Sequence, residues 1–347
     1  FREYNKIMEI IIPAAGLSTR FPNMRPKYTL TDYTGKMMIE KSIEPFLNNY
    51  NITIGILREH ETAYNITRYL NNEFPNINVV ILEERTNGPA ETVYKIIKQS
   101  KIDLSSGILI KDCDSYFNHD ISDGNYVCIS TIAEHEVLKR LSSKSFIISN
   151  DQGIITNIIE KEVISNKFCV GGYKFESAKL FCNTFENLQH RDVGEIFVSH
   201  IIEDCLNNHK IFLEKHVTDY IDVGTAEEWF LFNDKSCIFC DIDGTIIKAQ
   251  PKGSYGDDPS PLTENIKRIK ALIDSGSTII FTTARPKKYD DRTKEILMSL
   301  GFKDFNLISG LPNSKRVLIN DFNEANPYPR AIAVNIKRNS DNLKDYL

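Results

Sequence analysis

No stretch of this chain is apolar for long enough to cross a bilayer as a helix, and the opening residues Phe1-Arg2-Glu3-Tyr4-Asn5-Lys6 lack the apolar centre of a signal peptide. Membrane insertion is therefore not expected. An excess of positive charge is missing too. The net charge is -5 and no basic patch interleaved with aromatics stands out, which argues against nucleic acid as a partner. Any recognition of an anion has to be local, and small phosphorylated ligands suit that balance. The seven histidines have no metal-ligand spacing. The seven cysteines are odd in number and lie mostly inside apolar runs, which fits reduced thiols in a cytoplasmic protein better than a disulfide framework. Cys237 and Cys240 form a lone CxxC with no second pair. In a strand these positions point to opposite faces, so zinc and redox roles are not expected there.

What is present is an ordinary globular composition, 41% apolar and 26% charged over 347 residues, long enough for two hydrophobic cores. The chain opens on Phe1, its true start being either missing or Met8, and residues 1–7 carry no weight in the fold reading. From Met8 onward, strand-like runs at Met8–Pro13, Ile52–Leu57, Asn78–Leu82 and Gly107–Lys111 alternate with helical stretches at Met38–Asn48, Ala63–Glu73 and Ala90–Lys98. This order implies a mostly parallel sheet with helices on both faces, whose ligands bind beyond the carboxyl ends of the strands. Strands at Tyr126–Thr131, Ser145–Ser149 and Phe168–Phe175, with helices near Ser177–Glu186 and Gly194–Asn207, continue the domain as a mixed sheet, and Glu227–Asn233 closes it. After Asp234-Lys235-Ser236 a second unit begins. Its strands are predicted at Cys237–Cys240, Thr278–Phe281, Asn306–Ile308, Val317–Ile319 and Ala331–Asn335, its helices at Thr263–Ser275 and Asp291–Leu300. The predicted class is α/β, with two doubly wound domains at 8–233 and 235–347.

The first chemical motif, Ala14-Ala15-Gly16-Leu17-Ser18-Thr19-Arg20, follows the first strand and lacks both the GxGxxG spacing of a dinucleotide fold and the GK[ST] of a P-loop. Small residues at 14–16 let backbone N–H groups approach a triphosphate, Arg20 offers a forked cation and Lys27 a point charge. Further along come Pro26-Lys27, Asn87-Gly88-Pro89-Ala90, Asp112-Cys113-Asp114-Ser115-Tyr116-Phe117, Glu160-Lys161, Val170-Gly171-Gly172-Tyr173-Lys174-Phe175 and Asp222-Val223-Gly224-Thr225. With these pieces in this order, residues 8–232 resemble the sugar-phosphate nucleotidyltransferases. Two residues depart from that pattern: Ser18 stands where the loop usually has glycine, and Cys113 where glycine usually precedes the acid.

The resemblance implies a Rossmann-like domain in which a phosphate oxygen of the acceptor attacks the α-phosphorus of a nucleoside triphosphate and pyrophosphate leaves. Such a displacement rests on positioning and charge neutralisation. It further implies Mg²⁺ shared by Asp114 and Asp222, pyrophosphate stabilised by Arg20 and Lys27, and the acceptor phosphate held by Lys161. Nucleotide or substrate contacts would come from Ala14, Ala15, Gly16, Gly88, Ala90, Glu160 and Gly172. Asp112 is either a partner to these groups or a solvated charge. In relatives a glutamine shortly before the glycine matching Gly88 can read the base, and here that neighbourhood is Glu83-Glu84. A carboxylate only accepts hydrogen bonds, which favours CTP or GTP over UTP or dTTP; a solvated loop charge is the alternative.

The second motif, Asp241-Ile242-Asp243-Gly244-Thr245, follows Cys237-Ile238-Phe239-Cys240. With Thr282-Thr283-Ala284-Arg285, Lys315 and Asp321 behind it, residues 236–347 resemble the haloacid-dehalogenase-type phosphatases. The resemblance implies Asp241 as nucleophile, Asp243 as general acid and then base, Mg²⁺ held by Asp241, the Asp243 backbone carbonyl and Asp321, and phosphoryl oxygens bound by Lys315 and Thr283, with Thr282 the alternative threonine. The short spacing from Asp243 to Thr283 leaves no room for a cap, so Lys248–Pro261 is at most a flap, in which Tyr255 and Asp257-Asp258 either contact substrate or are solvated. The functional expectation is a bifunctional cytoplasmic enzyme that makes a nucleotide-activated sugar or polyol, with a phosphatase in the same pathway, directed to surface-glycan precursors. A cytidylyltransferase for a non-sugar phosphate such as phosphocholine or glycerol phosphate, and a nucleotide-binding regulatory domain fused to a phosphatase, are the alternatives. A homo-oligomer is compatible with the sequence.

Overall fold

The structure, a computed structural model, describes residues 8–135, 141–190, 194–321 and 331–347. The chain separates into two compact units, one ending at Phe230 and the other beginning at Leu231. In the first unit it runs through β1 (Glu9–Pro13), α1 (Met38–Ile43), β2 (Asn51–Leu57), α2 (Arg58–Tyr64), α3 (Ile66–Glu73), β3 (Ile77–Leu82), α4 (Pro89–Ser100) and β4 (Ile108–Lys111). It continues through β5 (Ser115–Asn118), β6 (Tyr126–Thr131), β7 (Ser145–Ser149), β8 (Ile155–Glu160), β9 (Lys167–Phe175), α5 (Ala178–Gln189), α6 (Val198–Asn207), β10 (Leu213–His216) and β11 (Thr218–Asp222), and the division falls inside the next helix, α7 (Ala226–Phe232).

The main sheet is ordered β10-β6-β9-β4-β1-β2-β3, with β7 and β8 joined beside β9. β1 lies parallel between β2 and β4, while β9 runs antiparallel to β4 and β6, so the sheet is mixed as expected. Ile10, Ile11 and Ile12 are all fully buried, because a central parallel strand is covered on both faces. Ile11 joins the core of α4, α5 and α6 through Val93, Ile96, Phe181 and Ile201. Ile10 and Ile12 join the opposite core with Ile39, Ile43, Ile66 and Leu70 of α1 and α3.

Two local readings change. The helix expected over Ala63–Glu73 is two helices, broken at Asn65, whose φ of 50° is left-handed; asparagine tolerates that conformation and ends α2 there. β8 was not anticipated, yet it forms a hairpin with β7 in which Ser145 opposes Glu160. No helix among the described residues is long and apolar enough to cross a membrane.

The second unit contains β12 (Cys237–Asp241), α8 (Thr263–Asp274), β13 (Thr278–Thr282), α9 (Asp290–Ser299) and β14 (Asn306–Ile308). Its sheet is parallel in the order β12-β13-β14, packed on Ile242, Ile246, Ile266, Ile269, Phe281 and Leu297. Cys237 is exposed and Cys240 buried, the opposite faces that strand geometry requires. The side chain of Asn265 ties this unit together: its Nδ2 donates to the carbonyls of Thr245 and Ser340, each at 2.8 Å, and its Oδ1 accepts from the Leu343 N–H at 2.8 Å.

The two last predicted strands do not form. Residues 317–319 and 331–335 have no strand structure, and Val317, Leu318 and Ile319 are 68%, 56% and 91% exposed. A three-residue apolar run has the look of a strand but becomes one only where a neighbouring edge takes up its backbone N–H and C=O groups. Among the described residues the second unit therefore has a three-stranded parallel sheet in place of the fuller doubly wound sheet expected from the sequence.

Candidate active sites

β1 delivers the first loop to the carboxyl end of the sheet. Ala14 and Ala15 are buried, the Ala14 N–H donates to the Gly55 carbonyl at 2.9 Å, and Gly16 is exposed. The loop turns at Ser18, whose φ of 54° lies in the left-handed region that glycine enters without steric cost. Here the serine hydroxyl accepts a hydrogen bond from the Lys27 N–H at 2.9 Å, so the departure from glycine brings a tie to the segment that carries Lys27.

The candidate metal carboxylates come from strand ends distant in sequence. Asp114 lies in the turn between β4 and β5, and Asp222 ends β11, where it opposes Ser115 across an antiparallel ladder. The Val223 N–H donates to the Asp114 carbonyl at 3.0 Å, and Asp222 Oδ1 accepts from the Gly224 N–H at 2.9 Å. A Cβ at Gly224 would sit 3.0 Å from Asp114 Oδ2, 3.0 Å from Asp222 Oδ1 and 3.6 Å from Arg20 Nη1. Lacking one, residue 224 leaves the gap between the two carboxylates open.

Each carboxylate already has a lysine. Lys27 Nζ donates to Asp114, and Arg20 Nη2 stands 3.6 Å from the same oxygen. Burial works against the Asp114 charge, but Lys27 and Arg20 outweigh it and hold the carboxyl well below the usual range. Burial likewise opposes the Lys27 ammonium, and Asp114 beside it more than compensates, so its pKa is raised. Asp112, buried next to the Asp114 charge, is pushed up to about 6.

Two lysines absent from the sequence-based set complete this site. Lys111 is 1% exposed and donates to Asp112 O at 2.7 Å, Ser115 O at 2.5 Å and Ser115 Oγ at 2.9 Å, with the Phe117 ring centroid 4.5 Å away. It stitches the turn that bears Asp114, and burial pushes its pKa down to about 8. Lys144 Nζ donates to Asp222 Oδ2 and, at 2.8 Å, to the Tyr220 hydroxyl. Burial disfavours its charge, Tyr220 and Asp222 favour it more strongly, and its pKa is raised. The run Ile108-Leu109-Ile110-Lys111 held a signal for the first, a lysine ending an apolar strand just before an acidic turn. Lys144, in a serine-rich stretch, had none.

In the second unit β12 ends on Asp241, which opposes Thr282 of β13. Thr245 Oγ1 donates to Asp241 Oδ2 at 3.4 Å. Burial, with Asp243 two residues on, raises the Asp241 carboxyl against the hydrogen bonds from the Ile242 N–H and the Thr245 hydroxyl and the weaker pull of the Arg316 charge. Asp243 is gripped by Arg285, Nε to Oδ2 at 2.8 Å and Nη2 to Oδ1 at 2.7 Å, and accepts from Thr283 Oγ1 at 3.3 Å. Thr282 turns its hydroxyl to the Cys240 carbonyl at 3.4 Å, so of the two threonines it is Thr283 that faces the acid. Arg285, 1% exposed, also donates to Gln250 Oε1 at 2.6 Å and lies 4.9 Å from the Tyr255 ring centroid. The segment 248–261 thus folds down on to this arginine, while Asp258 pairs outward with Arg292 at 2.5 Å. Arg285 ended the quoted Thr282–Arg285 run and was still missed as a site residue. Lys315 and Asp321 are exposed. Among the described residues no three or more His, Cys, Asp or Glu gather as a metal cage.

No family model matches the chain, and no curated protein matches it. Solved structures do. A nucleoside-diphosphate-sugar pyrophosphorylase from Vibrio cholerae RC9 aligns with TM-score 0.57 at 18% identity over 65% of this chain and 100% of its own. An inositol-1-phosphate CTP transferase from T. maritima aligns with TM-score 0.52 at 13% identity over 64% of this chain and 91% of its own. A UDP-glucose pyrophosphorylase in complex with UDP-glucose gives TM-score 0.50, 17% identity, 65% and 96%. The matched part has a Rossmann-like nucleotidyltransferase fold. At these identities the likeness is one of fold, over a share of the chain about the size of the first unit.

The remaining residues expected at the site of this nucleotidyltransferase-fold unit are distributed as follows. Lys161 lies just past β8 with φ 60°, and its Nζ stands 3.9 Å from the Phe197 ring centroid. Glu160 accepts from Ser145 Oγ and, at 2.6 Å, from Ser199 Oγ. Glu83 is held at the surface by both arms of Arg58, at 3.1 and 2.6 Å. Gly88 has φ 127°, and a Cβ there would meet the Ile196 carbonyl at 2.8 Å; the Ala90 N–H donates to that same carbonyl at 3.2 Å. Gly172 pairs with Lys111 in the ladder of β4 and β9, and a Cβ on it would lie 2.8 Å from both Cys128 Sγ and Phe117 Cζ. Its local role is close packing beneath the acidic turn.

Proposed function

We propose that the first unit transfers a nucleotidyl group from a nucleoside triphosphate to a phosphorylated sugar or polyol and releases pyrophosphate. The observation that carries this reading is the convergence of Asp114 and Asp222 on the gap at Gly224, with Arg20 alongside. The donor set suits Mg²⁺, which takes few protein carboxylates and completes its shell with water and phosphate oxygens. Bound there by Asp114 and Asp222, it would supply charge neutralisation between triphosphate and acceptor. Arg20 and Lys27 supply cations for the charge that builds on the departing pyrophosphate, and the turn at Ala15–Gly16 brings backbone N–H groups near the phosphates, the Ala14 N–H being taken by the Gly55 carbonyl. The acceptor's own phosphate is the nucleophile, so no side chain has to attack or remove a proton. Among the structural neighbours, the inositol-1-phosphate CTP transferase supports a polyol acceptor and a cytidine nucleotide. Glu83, clamped by Arg58, offers an acceptor to a base amino group, in keeping with CTP or GTP.

The second unit is read as a phosphomonoesterase acting in the same pathway, the supply of precursors for a surface glycan. Asp241 would attack phosphorus to form an aspartyl phosphate, and Asp243 would protonate the departing alkoxide. That role requires Asp243 to leave the grip of Arg285. For a metal here Asp241 and Asp321 would offer carboxylates and Asp243 its backbone carbonyl, the oxygen donors that Mg²⁺ prefers, although among the described residues they are not gathered into a cage.

Purified full-length chain incubated with Mg²⁺, each of four nucleoside triphosphates and a panel of phosphorylated sugars and polyols tests the first activity. Pyrophosphate is expected from at least one pair. Its absence from every pair sinks the transferase reading, just as failure to release phosphate from any ester in the panel sinks the phosphatase reading.

A further inference from the structure

We propose that Lys144 is the residue that takes the phosphate of the acceptor, which rests on the nucleotidyl-transfer reading of the same site. Lys144 and Lys161 face each other across the β7–β8 hairpin: the Lys161 N–H donates to the Lys144 carbonyl at 3.0 Å, one step beyond the Ser145–Glu160 pair. Facing positions in an antiparallel ladder put both side chains on one face of the sheet. The backbone separates them. Lys161 leaves the strand with φ 60° and lays its ammonium over Phe197, whereas Lys144 reaches Asp222 and the Tyr220 hydroxyl.

Lys144 is 16% exposed at the side chain and Asp222 18%, so the pair is mostly enclosed yet still reached by solvent. An enclosed ammonium keeps an anionic partner or loses its charge. When Asp222 is engaged by a divalent cation shared with Asp114, Lys144 needs a replacement anion at that place. An acceptor phosphate aligned for attack would lie beside Asp222 and Lys144, so the replacement would arrive with the substrate. The exchange keeps every charge paired: carboxylate to metal, ammonium to phosphate. In the reaction an oxygen of that phosphate forms the new bond to the α-phosphorus, the bond from the α-phosphorus to the bridging oxygen breaks, and pyrophosphate leaves with the electron pair. Lys144 neutralises the attacking group and transfers no proton.

The experiment uses the full chain, Mn²⁺ as the metal probe and inorganic phosphate as the anion probe, followed by titration calorimetry. Wild type is expected to bind phosphate only when Mn²⁺ is present. Lys144→Met is expected to weaken that phosphate binding by roughly tenfold or more, while Mn²⁺ alone binds as well as before or more tightly, because its competitor for Asp222 is gone. A residue that only supports the fold would weaken both. Should Lys144→Met fail to fold, Lys144→Gln, which keeps a hydrogen-bond donor for Tyr220, makes the same comparison. Phosphate binding that is independent of Mn²⁺, undetectable in wild type, unchanged in the Lys144 variants, or lost more severely in Lys161→Met overturns the assignment. The transferase reading fails separately, through absence of pyrophosphate release from every nucleotide and acceptor pair. If an acceptor is found there, Lys144→Met should raise its KM far more than that of the triphosphate.

Discussion

The two candidate sites differ in how far apart in the chain their charges originate. In the first, Asp114 from the turn after β4 meets Lys27 from the loop segment after β1, and Asp222 at the end of β11 meets Lys144 at the start of β7. In the second, Asp243 just past β12 meets Arg285 just past β13, neighbours in one ladder, while Lys315 and Asp321 lie exposed on chain that joins no strand. The sheet of the first unit gathers many strand ends at one place and closes both lysine–aspartate pairs of its site there. The sheet of the second unit, three strands wide among the described residues, gathers only the half of its site that two adjacent strands can carry.

The largest effects should follow from removing acids one unit at a time. Asp114→Asn or Asp222→Asn is expected to lower Mg²⁺-dependent pyrophosphate release by about three orders of magnitude or more and leave phosphate-ester hydrolysis intact; Asp241→Asn should do the reverse. Parallel assays of pyrophosphate and phosphate check this, and one substitution that abolishes both activities breaks the division into two sites. A smaller effect is expected at Arg285. Arg285→Met leaves Asp243 without its buried partner and should cost about 3 kcal/mol of second-unit stability, read as a lower denaturant midpoint for that unit.

Acid should distinguish the units more gently. All seven histidines precede the second unit, and burial holds His119, against Tyr126 at 3.3 Å, down to about 4. The unfolded chain takes up that proton below about 6.5 while the folded chain refuses it down to about 4. His119 therefore contributes stability that is complete above pH 6.5 and lost as the pH falls toward 4. Thermal melts of wild type and His119→Phe over that window should converge in their acid sensitivity only in the second unit. Least of all is expected from Ile319→Asp. At 91% exposure a charge there should change stability by no more than about 0.5 kcal/mol, and a clear loss would show that the segment Val317–Ile319 packs on the sheet in solution.

Much of this architecture was legible because burial on both faces leaves a plain mark. Glu9-Ile10-Ile11-Ile12, Tyr126–Thr131 and Ser145–Ser149 are strands where the sequence put them. The same rule misled at Val317-Leu318-Ile319, since apolar content reports what a strand would need and not whether an edge is there to receive it. Asp114, Asp222, Arg20 and Lys27 were legible from their motifs, and the structure brings all four together. Lys144 was not, because a lysine becomes part of a site through which hairpin carries it, and Ser142-Ser143-Lys144 reads as the loop before a strand until β8 is known to pair beside it. Ser18 is the converse case. Out of place by pattern, it is accounted for by a left-handed turn and one hydrogen bond to Lys27.

The three hydrogen bonds of Asn265 give the two units different schedules during synthesis. A chain grows from its amino end, and domains generally fold as they emerge. Every residue that closes the ion pairs of the first site has been made by Asp222. In the second unit the loop after β12 is tied through Asn265 to Ser340 and Leu343, so the loop bearing Asp243 gains its full support only when those late residues have left the ribosome. A nascent chain halted before Ser340 could present a completed first site while the second still lacked its anchor.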